Sequence, residues 1–299
     1  MNKFNLNGIV PILLTPFEDN GSIDKSSLCN EVEFCIDAGV DGIGVALGSE
    51  IFKLNETERI EIIDIVIQAV KDRLPVVINT GAASNKLAIE YSKQAEKQGA
   101  YAVMVMPPSF MPVGQEEIFE YFSEISNEIS ISVVLQDIPQ ASISPQLALS
   151  IQNENPNVKY IKVESLPSVP RISSMSSFAG NRLKIFGGAG GNFFLEELLR
   201  GACGTMPFAS QSKEFVEVLK KHKKSEGKKA KDIFERIISP VNRLSSTNGD
   251  IFFHIHKQIL FKKGIIKNAN VRTPTIKIDK NTQIEINSLI EDIFSHNYF

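Results

Sequence analysis

Short apolar runs alternate with amphipathic segments along the first two thirds of this 299-residue chain. Each run is rich in Val and Ile and is apolar on both faces, which is typical of a parallel strand covered by helices. The segments between the runs have helical periodicity, and Gly39, Gly99 and Gly201 stand where those helices should end. The eight runs are Gly8–Phe17, Val40–Gly48, Pro75–Gly81, Ala100–Pro108, Ile131–Pro139, Val158–Glu164, Leu183–Gly190 and Gly204–Ala209.

Eight strand–helix units in succession predict a closed α/β barrel, the (β/α)8 or TIM barrel, over residues 1–210. The competing architecture is an open doubly wound sheet, which usually carries a glycine-rich phosphate turn after its first strand. Here the first run ends in Leu14-Thr15-Pro16-Phe17, without such a turn, so the barrel is favoured. Residues 211–299 show helical patterns to the end of the chain and predict a C-terminal helical extension packed on the barrel.

The composition excludes several classes of function. The net charge of −3 leaves no basic surplus to neutralise a phosphate backbone, so a nucleic-acid partner is not expected. No apolar run approaches the ~18 residues of a membrane span, and the start of the chain has no signal-peptide core. The three cysteines, Cys29, Cys35 and Cys203, are scattered within apolar periodicity and are predicted to be reduced. We therefore expect a cytoplasmic protein.

Polar residues at the ends of the predicted strands are the candidate functional residues. Active sites of such barrels lie at the carboxyl ends of the strands, where the βα loops begin. In chain order these residues are Thr15, Ser49, Glu50, Asn79, Thr80, Ser109, Gln136, Asp137, Lys162 and Glu164, followed by Gly187, Gly188, Gly190 and Gly191. The glycine group precedes a helix whose N-terminus could accept a carboxylate or a phosphate.

Lys162 is the most informative of them. It stands in a strand between Ile161 and Val163, so its side chain must face either the helix layer or the barrel lumen. A desolvated lysine loses its proton more readily than one in water, and its neutral amine can attack a carbonyl to form a Schiff base. The alternative is a structural lysine paired with Glu164 or another carboxylate.

The residues that other catalytic mechanisms require are absent from the predicted strand ends. All four histidines, His222, His254, His256 and His296, fall in the helical tail. A divalent metal site at the barrel mouth would normally need imidazole ligands there, so neither a metal nor a cofactor is expected. The chain also has no G-x-S-x-G elbow and no C-x-x-C motif.

Four segments carry a resemblance to a known family: Gly8-Ile9-Val10-Pro11, Gly48-Ser49-Glu50, Pro75–Gly81, and Tyr160-Ile161-Lys162-Val163-Glu164-Ser165. With their order and spacing, the chain resembles the dihydrodipicolinate synthase / N-acetylneuraminate lyase family of class I aldolases from about Gly8 to Ser210. The resemblance implies a (β/α)8 barrel with three C-terminal helices and a homo-oligomer, either a tetramer or a dimer. It also implies a small 2-oxo acid substrate and places the Schiff-base lysine at Lys162.

The chain departs from this family pattern in three places. The carboxylate-binding G-T-T-G-E loop of the family reads Ala46-Leu47-Gly48-Ser49-Glu50, and both threonines are missing. The Y-N-V-P segment that supplies a proton-shuttling tyrosine reads Gln136-Asp137-Ile138-Pro139, and an amide cannot act as a general acid or base. The arginine usual after that segment is replaced within Gln140-Ala141-Ser142. Because that arginine reads the carboxylate of aspartate semialdehyde, dihydrodipicolinate synthesis is not expected.

Two functional hypotheses follow. The first is a Schiff-base-forming lyase, an aldolase or dehydratase, acting on a 2-oxo acid or a 2-keto-3-deoxy sugar acid. Its catalytic candidates are Lys162, Gln136 and Asp137, and the missing tyrosine could be replaced by Asp137, by Glu164 or by a bound water. The second is a non-catalytic or regulatory paralogue that binds a 2-oxo acid without turnover. The substrate-binding candidates are Gly48, Ser49, Glu50, Thr80, Ser109, Glu164 and Gly188.

Overall fold

Parallel strands and outer helices alternate through the first part of the structure, a computed structural model that describes residues 4–295. Eight strands of the described chain form one sheet in the order β1-β8-β7-β6-β5-β4-β3-β2. Their bounds are β1 Gly8–Ile9, β2 Ile43–Val45, β3 Val76–Asn79, β4 Ala102–Val105, β5 Ser132–Asp137, β6 Val158–Val163, β7 Lys184–Gly187 and β8 Gly204–Thr205.

The sheet closes between β2 and the chain that follows β1. The Gly44 N–H donates to the Pro11 carbonyl at 2.8 Å, and the Leu13 N–H donates to the Gly44 carbonyl at 2.9 Å. The predicted TIM barrel is therefore confirmed. β1 and β8 are shorter than the apolar runs that predicted them, because the runs contain Pro11 and Pro207, which have no N–H to donate.

Seven helices of the described chain lie outside these strands. They are α1 Lys25–Ala38, α2 Glu56–Val70, α3 Asn85–Gln98, α4 Gln115–Glu128, α5 Pro145–Glu154, α6 Ser168–Ala179 and α7 Phe194–Leu198. Gly39 and Gly99 end α1 and α3 in the left-handed conformation, as predicted. Gly201 also has a positive φ but lies beyond the C-cap of α7, which is Leu199.

The C-terminal part is helical with one long interruption. Its helices are α8 Ser212–Lys223, α9 Gly227–Ile233, α10 Ser239–Ser245, α11 Ile251–Lys262 and α12 Lys280–Ser295, with a π-helical stretch at Phe234–Ile238. The prediction of helix to the end of the chain is wrong for residues 263–279, where Gly264 takes a positive φ and Pro274 lacks a donor. The division into residues 1–210 and 211–299 stays a prediction. No helix in residues 4–295 is long and apolar enough to cross a membrane.

Side chains alternate between the lumen of the barrel and the helix layer. On β6, Tyr160 belongs to the cluster that fills the lumen, whereas Ile161 and Val163 belong to the cluster between strands and helices. Because successive strand residues point to opposite faces, Lys162 faces the lumen with Tyr160. This resolves the choice that the sequence left open for the lysine.

Candidate active site

A cavity of about 470 Å³ opens at the carboxyl ends of the strands. Gln136, Lys162 and Glu164 line it on the barrel side, and α10 and α11 cover the opposite side with Asn242 and Phe252. Its other lining residues are Ile12, Leu47, Gly48, Phe52, Leu166, Ala189, Gly190, Asn192, Met206, Pro207, Phe208, Ser245 and Ser246. The position matches the usual location of active sites in this fold.

Lys162 and Glu164 form an ion pair inside this cavity. The Nζ of Lys162 lies 2.8 Å from Oε1 of Glu164, and Lys162 is only 5% exposed. The sequence allowed either a structural pair or a catalytic lysine, and the pair itself is compatible with both. The open space beside the amine favours catalysis, because a carbonyl compound of small size can reach it.

Two side-chain amides, hydrogen-bonded in sequence, orient Glu164 through its second carboxylate oxygen. Gln136, which is in register with Lys162 across β5 and β6, donates its amide to Oε2 of Glu164 at 2.6 Å. Asn79 at the end of β3 donates to Oε1 of Gln136 at 3.0 Å, which orients the amide of Gln136. Gln136 thus orients a carboxylate at the position where the sequence resemblance implied a proton-shuttling tyrosine.

The surroundings keep Glu164 ionised. Burial opposes the charged form, but it is outweighed by the Lys162 ammonium and by hydrogen bonds from Lys162, Gln136 and the Ala189 N–H. Together these groups hold the pKa of Glu164 below its ordinary value. At neutral pH Glu164 is therefore a carboxylate in direct contact with the lysine.

Gly188 lets Glu164 reach this position. A Cβ atom at residue 188 would overlap Cγ of Glu164, so no larger residue fits beside the carboxylate. Ala189 and Gly190, which follow, line the cavity and have positive φ. The glycine-rich turn therefore serves close packing as well as the proposed binding of a substrate carboxylate.

Replacing Gly188 with alanine should slow the formation of an imine at Lys162. The added methyl group displaces Glu164 from the lysine, and a misplacement of about 1 Å at a catalytic group costs on the order of 10²-fold in rate. The rate of borohydride trapping with pyruvate measures this effect. Gly227→Ala is the matched control, since a Cβ at that residue meets no atom within 4 Å. An unchanged trapping rate in Gly188→Ala would show that the position of Glu164 does not matter.

Asp137 lies outside the cavity. It follows Gln136 on β5 and points into the helix layer, where Arg171 donates to both of its carboxylate oxygens at 2.9 and 3.2 Å. The Ser165 hydroxyl and the Ile143 N–H donate to it as well. The structure does not bring this carboxylate to Lys162, and its catalytic role stays an untested prediction.

In the loop after β2, Gly48 lines the cavity, whereas Ser49 and Glu50 bond to groups outside it. The Ser49 hydroxyl donates to the Leu13 carbonyl at 2.5 Å and accepts from the Ala46 N–H. Glu50 is buried and pairs with Nζ of Lys257 at 2.5 Å, while its second oxygen accepts from the Arg272 N–H. Glu50 thus connects the barrel to the C-terminal part.

Thr80 and Ser109 also lie outside the cavity lining. The Thr80 hydroxyl hydrogen-bonds Ser92 at 2.8 Å, because Thr80 points away from the lumen that the preceding residue, Asn79, faces. Ser109 is half-buried in the loop between β4 and α4. Their roles in substrate binding stay predictions.

The histidines of the described chain lie in the C-terminal part, His222 on α8 and His254 and His256 on α11. His256 is buried and its Nδ1 shares a hydrogen bond with the Ser210 hydroxyl, while His254 hydrogen-bonds Thr275. His296 lies outside the described residues. Within residues 4–295 no group of three His, Cys, Asp or Glu side chains could hold a metal ion.

Several lining residues were not predicted as site residues. Asn79, which was recognised as a strand-end residue, does not itself line the cavity and acts there only through its hydrogen bond to Gln136. Asn242, Ser245 and Phe252 had no local signal, because only the docking of α10 and α11 brings them to the barrel mouth. Leu166 lies in the loop between β6 and α6, and Phe52 lies in the short 3-10 helix Ile51–Lys53.

Comparisons with known proteins cover the whole barrel and most of the tail. The family model described as "Dihydrodipicolinate synthetase family" matches residues 5–293. The crystal structure of dihydrodipicolinate synthase from Rhodopseudomonas palustris is 25% identical, with a TM-score of 0.88 over 96% of this chain and 97% of that chain.

Two relatives differ in how much of this chain they match. L-2-keto-3-deoxyarabonate dehydratase of Azospirillum brasilense is 25% identical over 93% of this chain and 92% of that protein. A 4-hydroxy-tetrahydrodipicolinate synthase of Bartonella quintana (strain Toulouse) is 37% identical over 46% of this chain. The match spans about half the length of the Bartonella relative, namely 47%.

Proposed function

Because the chain belongs to the dihydrodipicolinate synthetase family, we propose that it is a Schiff-base-forming lyase of class I. Its substrate is a 2-oxo acid or a 2-keto-3-deoxy sugar acid, and it acts as an aldolase or a dehydratase. The observation that carries the proposal is the pair of Lys162 and Glu164, 2.8 Å apart, at the wall of a cavity. An amine and a proton acceptor are the two groups that imine formation requires.

In the first step Glu164 accepts a proton from the Lys162 ammonium. The neutral amine attacks C2 of the substrate, and one proton moves from the attacking nitrogen to the carbonyl oxygen, which becomes the hydroxyl of a neutral carbinolamine. Glu164 then returns the proton to that hydroxyl, which leaves as water while the C–N double bond forms. Of the three replacements that the sequence left open for the tyrosine, Glu164 has the supporting contact.

The protonated imine then withdraws an electron pair from the carbon chain. In an aldolase the C3–C4 bond breaks as the C4 hydroxyl loses its proton. In a dehydratase a base takes a C3 proton to give the enamine, and the C4 hydroxyl then takes up a proton and leaves as water. The dehydratase branch is supported by the relative from Azospirillum brasilense, whose name describes that reaction on a keto-deoxy sugar acid. The carboxylate at C1 would lie between the Gly48 loop and the turn at Gly188.

The lining of the cavity argues against dihydrodipicolinate synthesis. Among the described lining residues the charged side chains are Lys162 and Glu164, and they neutralise one another. Arg171 is directed at Asp137, and Arg59 donates to the carbonyls of Ile51 and Asn79, so neither is available to read a second carboxylate. This supports the expectation that aspartate semialdehyde is not the acceptor.

Reduction with borohydride in the presence of pyruvate tests the proposal directly. We expect a stable adduct whose mass corresponds to reduced imine on the peptide that contains Lys162. A screen of 2-oxo acids and keto-deoxy sugar acids for turnover then identifies the substrate. Binding of a 2-oxo acid without any adduct would instead support the non-catalytic paralogue. The paralogue hypothesis interprets Gln136 as the sign of a lost function. The two hydrogen bonds of Gln136, to Asn79 and to Glu164, instead support a positioning role in an active enzyme.

Changing Gln136 to tyrosine should not improve trapping of pyruvate. The substitution removes the amide that holds Glu164 and leaves Asn79 without its acceptor, at a cost of about 1–3 kcal/mol for the unsatisfied group. A site that had only lost efficiency would instead gain from a restored hydroxyl. The trapping rate with pyruvate, measured beside Gln136→Ala, decides between these outcomes, and a large gain in the tyrosine variant would contradict the role given to Gln136.

The assembly and the location of the protein stay predictions. A homo-oligomer, tetramer or dimer, is supported by the loop after β4, where Phe110 is 90% exposed and Met111 72% exposed, since large apolar side chains in water favour association. Sedimentation analysis measures the state directly. A cytoplasmic location and the absence of nucleic-acid partners rest on the composition.

A further inference from the structure

The cavity has an uncharged wall, part polar and part aromatic, on the side that α10 and α11 cover. Asn242 and Ser245 lie three residues apart on α10 and therefore share one face of that helix. Phe208 and Phe252, whose ring centroids are 5.3 Å apart in a stacked arrangement, stand beside them. We call these four residues the distal subsite. None of the four carries a charge, unlike Lys162 and Glu164 on the barrel side.

The hydroxyl of Ser245 is buried and has no partner within the described residues. The residue is 9% exposed, and its Oγ makes no hydrogen bond. A serine inside a helix commonly bonds the carbonyl four residues earlier, as Ser246 does with the Asn242 carbonyl at 2.8 Å. Because a buried polar group without a partner is unfavourable, the hydroxyl of Ser245 is suited to a ligand that completes its bonding.

Asn242 presents an acceptor beside it. Its Nδ2 donates to the Gly190 carbonyl at 3.0 Å, which sets the orientation of the amide and ties α10 to the glycine-rich turn. The Oδ1 atom has no donor among residues 4–295, and Asn242 is 3% exposed. The subsite therefore combines a free acceptor at Asn242 with a hydroxyl at Ser245 that can donate or accept.

These groups discriminate between three kinds of substrate tail. A hydroxyl donates to Oδ1 of Asn242 and accepts from the Ser245 hydroxyl, while the C–H face of its carbon chain packs on the phenylalanine rings. A carboxylate has no proton to donate, so it would face Oδ1 as a second acceptor, and the lining offers it no countercharge. An alkyl tail would leave both polar groups without partners.

We propose that the distal subsite recognises the uncharged, hydroxyl-bearing tail of a 2-keto-3-deoxy acid and rejects a second carboxylate. The inference rests on the proposed function for the position of the reacting carbonyl at Lys162. It narrows the substrate class from 2-oxo acids in general to keto-deoxy sugar acids. Ser245 is a specificity-determining residue in this assignment, and Asn242 both binds and positions.

The test uses four probes: pyruvate, 2-oxohexanoate, 2-oxoglutarate and 2-keto-3-deoxygluconate. For each, the concentration that gives half-maximal borohydride trapping on Lys162 is measured in the unaltered chain, in Ser245→Ala and in Ser239→Ala. Ser239 is the matched control, because it is a serine of the same helix that does not line the cavity. Thermal melting shows that all three proteins are folded.

We expect 2-keto-3-deoxygluconate to reach half-maximal trapping at the lowest concentration in the unaltered chain. Ser245→Ala should raise that concentration about tenfold, because the site then loses a hydrogen bond to the tail. The value for pyruvate, which has no tail, should change less than about twofold, and Ser239→Ala should match the unaltered chain for every probe. An equal effect of Ser245→Ala on pyruvate, or trapping of 2-oxoglutarate as readily as the keto-deoxy acid, would overturn the proposal.

Failure of the proposed function is recognised separately, by calorimetry. If no probe gives an adduct but 2-keto-3-deoxygluconate binds and Ser245→Ala weakens that binding, the distal subsite stands and the Schiff-base lyase does not. If no probe gives an adduct and none binds, both are overturned.

Discussion

Replacing Lys162 with alanine should abolish the borohydride-trapped adduct and any lyase turnover while the barrel still folds. Imine formation requires a primary amine. Among the described residues that line the cavity, Lys162 is the lysine that supplies one. The truncation leaves Glu164 without its ion-pair partner, so a lower melting temperature is expected as well. Mass spectrometry of the reduced protein with pyruvate measures the adduct.

Two further substitutions separate chemistry from charge. Lys162→Arg keeps a cation beside Glu164 but cannot form an imine under these conditions, so it should also lack the adduct while recovering stability. Lys159→Ala removes an exposed lysine from the same strand and should leave trapping unchanged. Turnover by Lys162→Ala at the rate of the unaltered chain would rule out the Schiff-base mechanism.

Changing Glu164 to glutamine should reduce turnover by about 10²–10⁴-fold, the usual contribution of general acid–base catalysis. The lysine remains, so an adduct with pyruvate is still expected on long incubation. This separates the variant from Lys162→Ala, which loses both. The measurement is the ratio of turnover to adduct formation for one substrate, with folding checked by circular dichroism.

Turnover should depend on pH through the protonation of Glu164. Because the Lys162 ammonium and the amide of Gln136 hold the pKa of Glu164 below its ordinary value, the carboxylate persists on mild acidification. Turnover should fall only as the pH drops through that lowered pKa, where protonation removes the acceptor. In Glu164→Gln this acidic limb should be absent, and a limb that persists unchanged would assign it to another group.

Asp137→Asn tests whether Asp137, rather than Glu164, relays the proton. Since Asp137 receives Arg171, Ser165 and the Ile143 N–H, its replacement should lower the melting temperature. The ratio of turnover to adduct formation should stay that of the unaltered chain. A collapse of that ratio in Asp137→Asn, with little change in Glu164→Gln, would transfer the proton relay to Asp137.

The barrel could be predicted because its information is local and repeated. Each apolar run, such as Ile131–Pro139 or Val158–Glu164, reports a buried strand through its own residues, and β5 and β6 lie within these two runs. The ends of β1 and β8 were not predictable, since an apolar run does not show where the hydrogen-bonded ladder stops. Family membership followed from the order of the motifs and is confirmed by the match over residues 5–293.

The candidate site was only partly predictable. The structure brings Lys162, Gln136, Glu164 and Gly48 to one cavity, and their proposed roles are still to be tested. The placement of Asp137 follows from strand alternation relative to Gln136, once the lumen face of β5 is known. That face depends on how the strand registers with its neighbours, which one segment alone does not specify.

The residues from the tail were beyond sequence reasoning. Ser245 and Asn242 reach the cavity through the packing of α10 against the barrel, and Glu50 shows how tight that packing is through its buried pair with Lys257. Charge and hydrophobic pattern identify such helices but not the face that they turn toward the strands.

The shared cavity wall has a consequence for how such a protein diverges. The lysine and its carboxylate belong to one strand and its following loop, whereas α10 and α11 form a separate stretch of chain that closes the opposite side. Substitutions in that stretch alter the shape and polarity of the wall and leave the reacting pair in place. A lineage can therefore exchange one accepted molecule for another by changes in a few helical positions, with the barrel and its chemistry inherited intact.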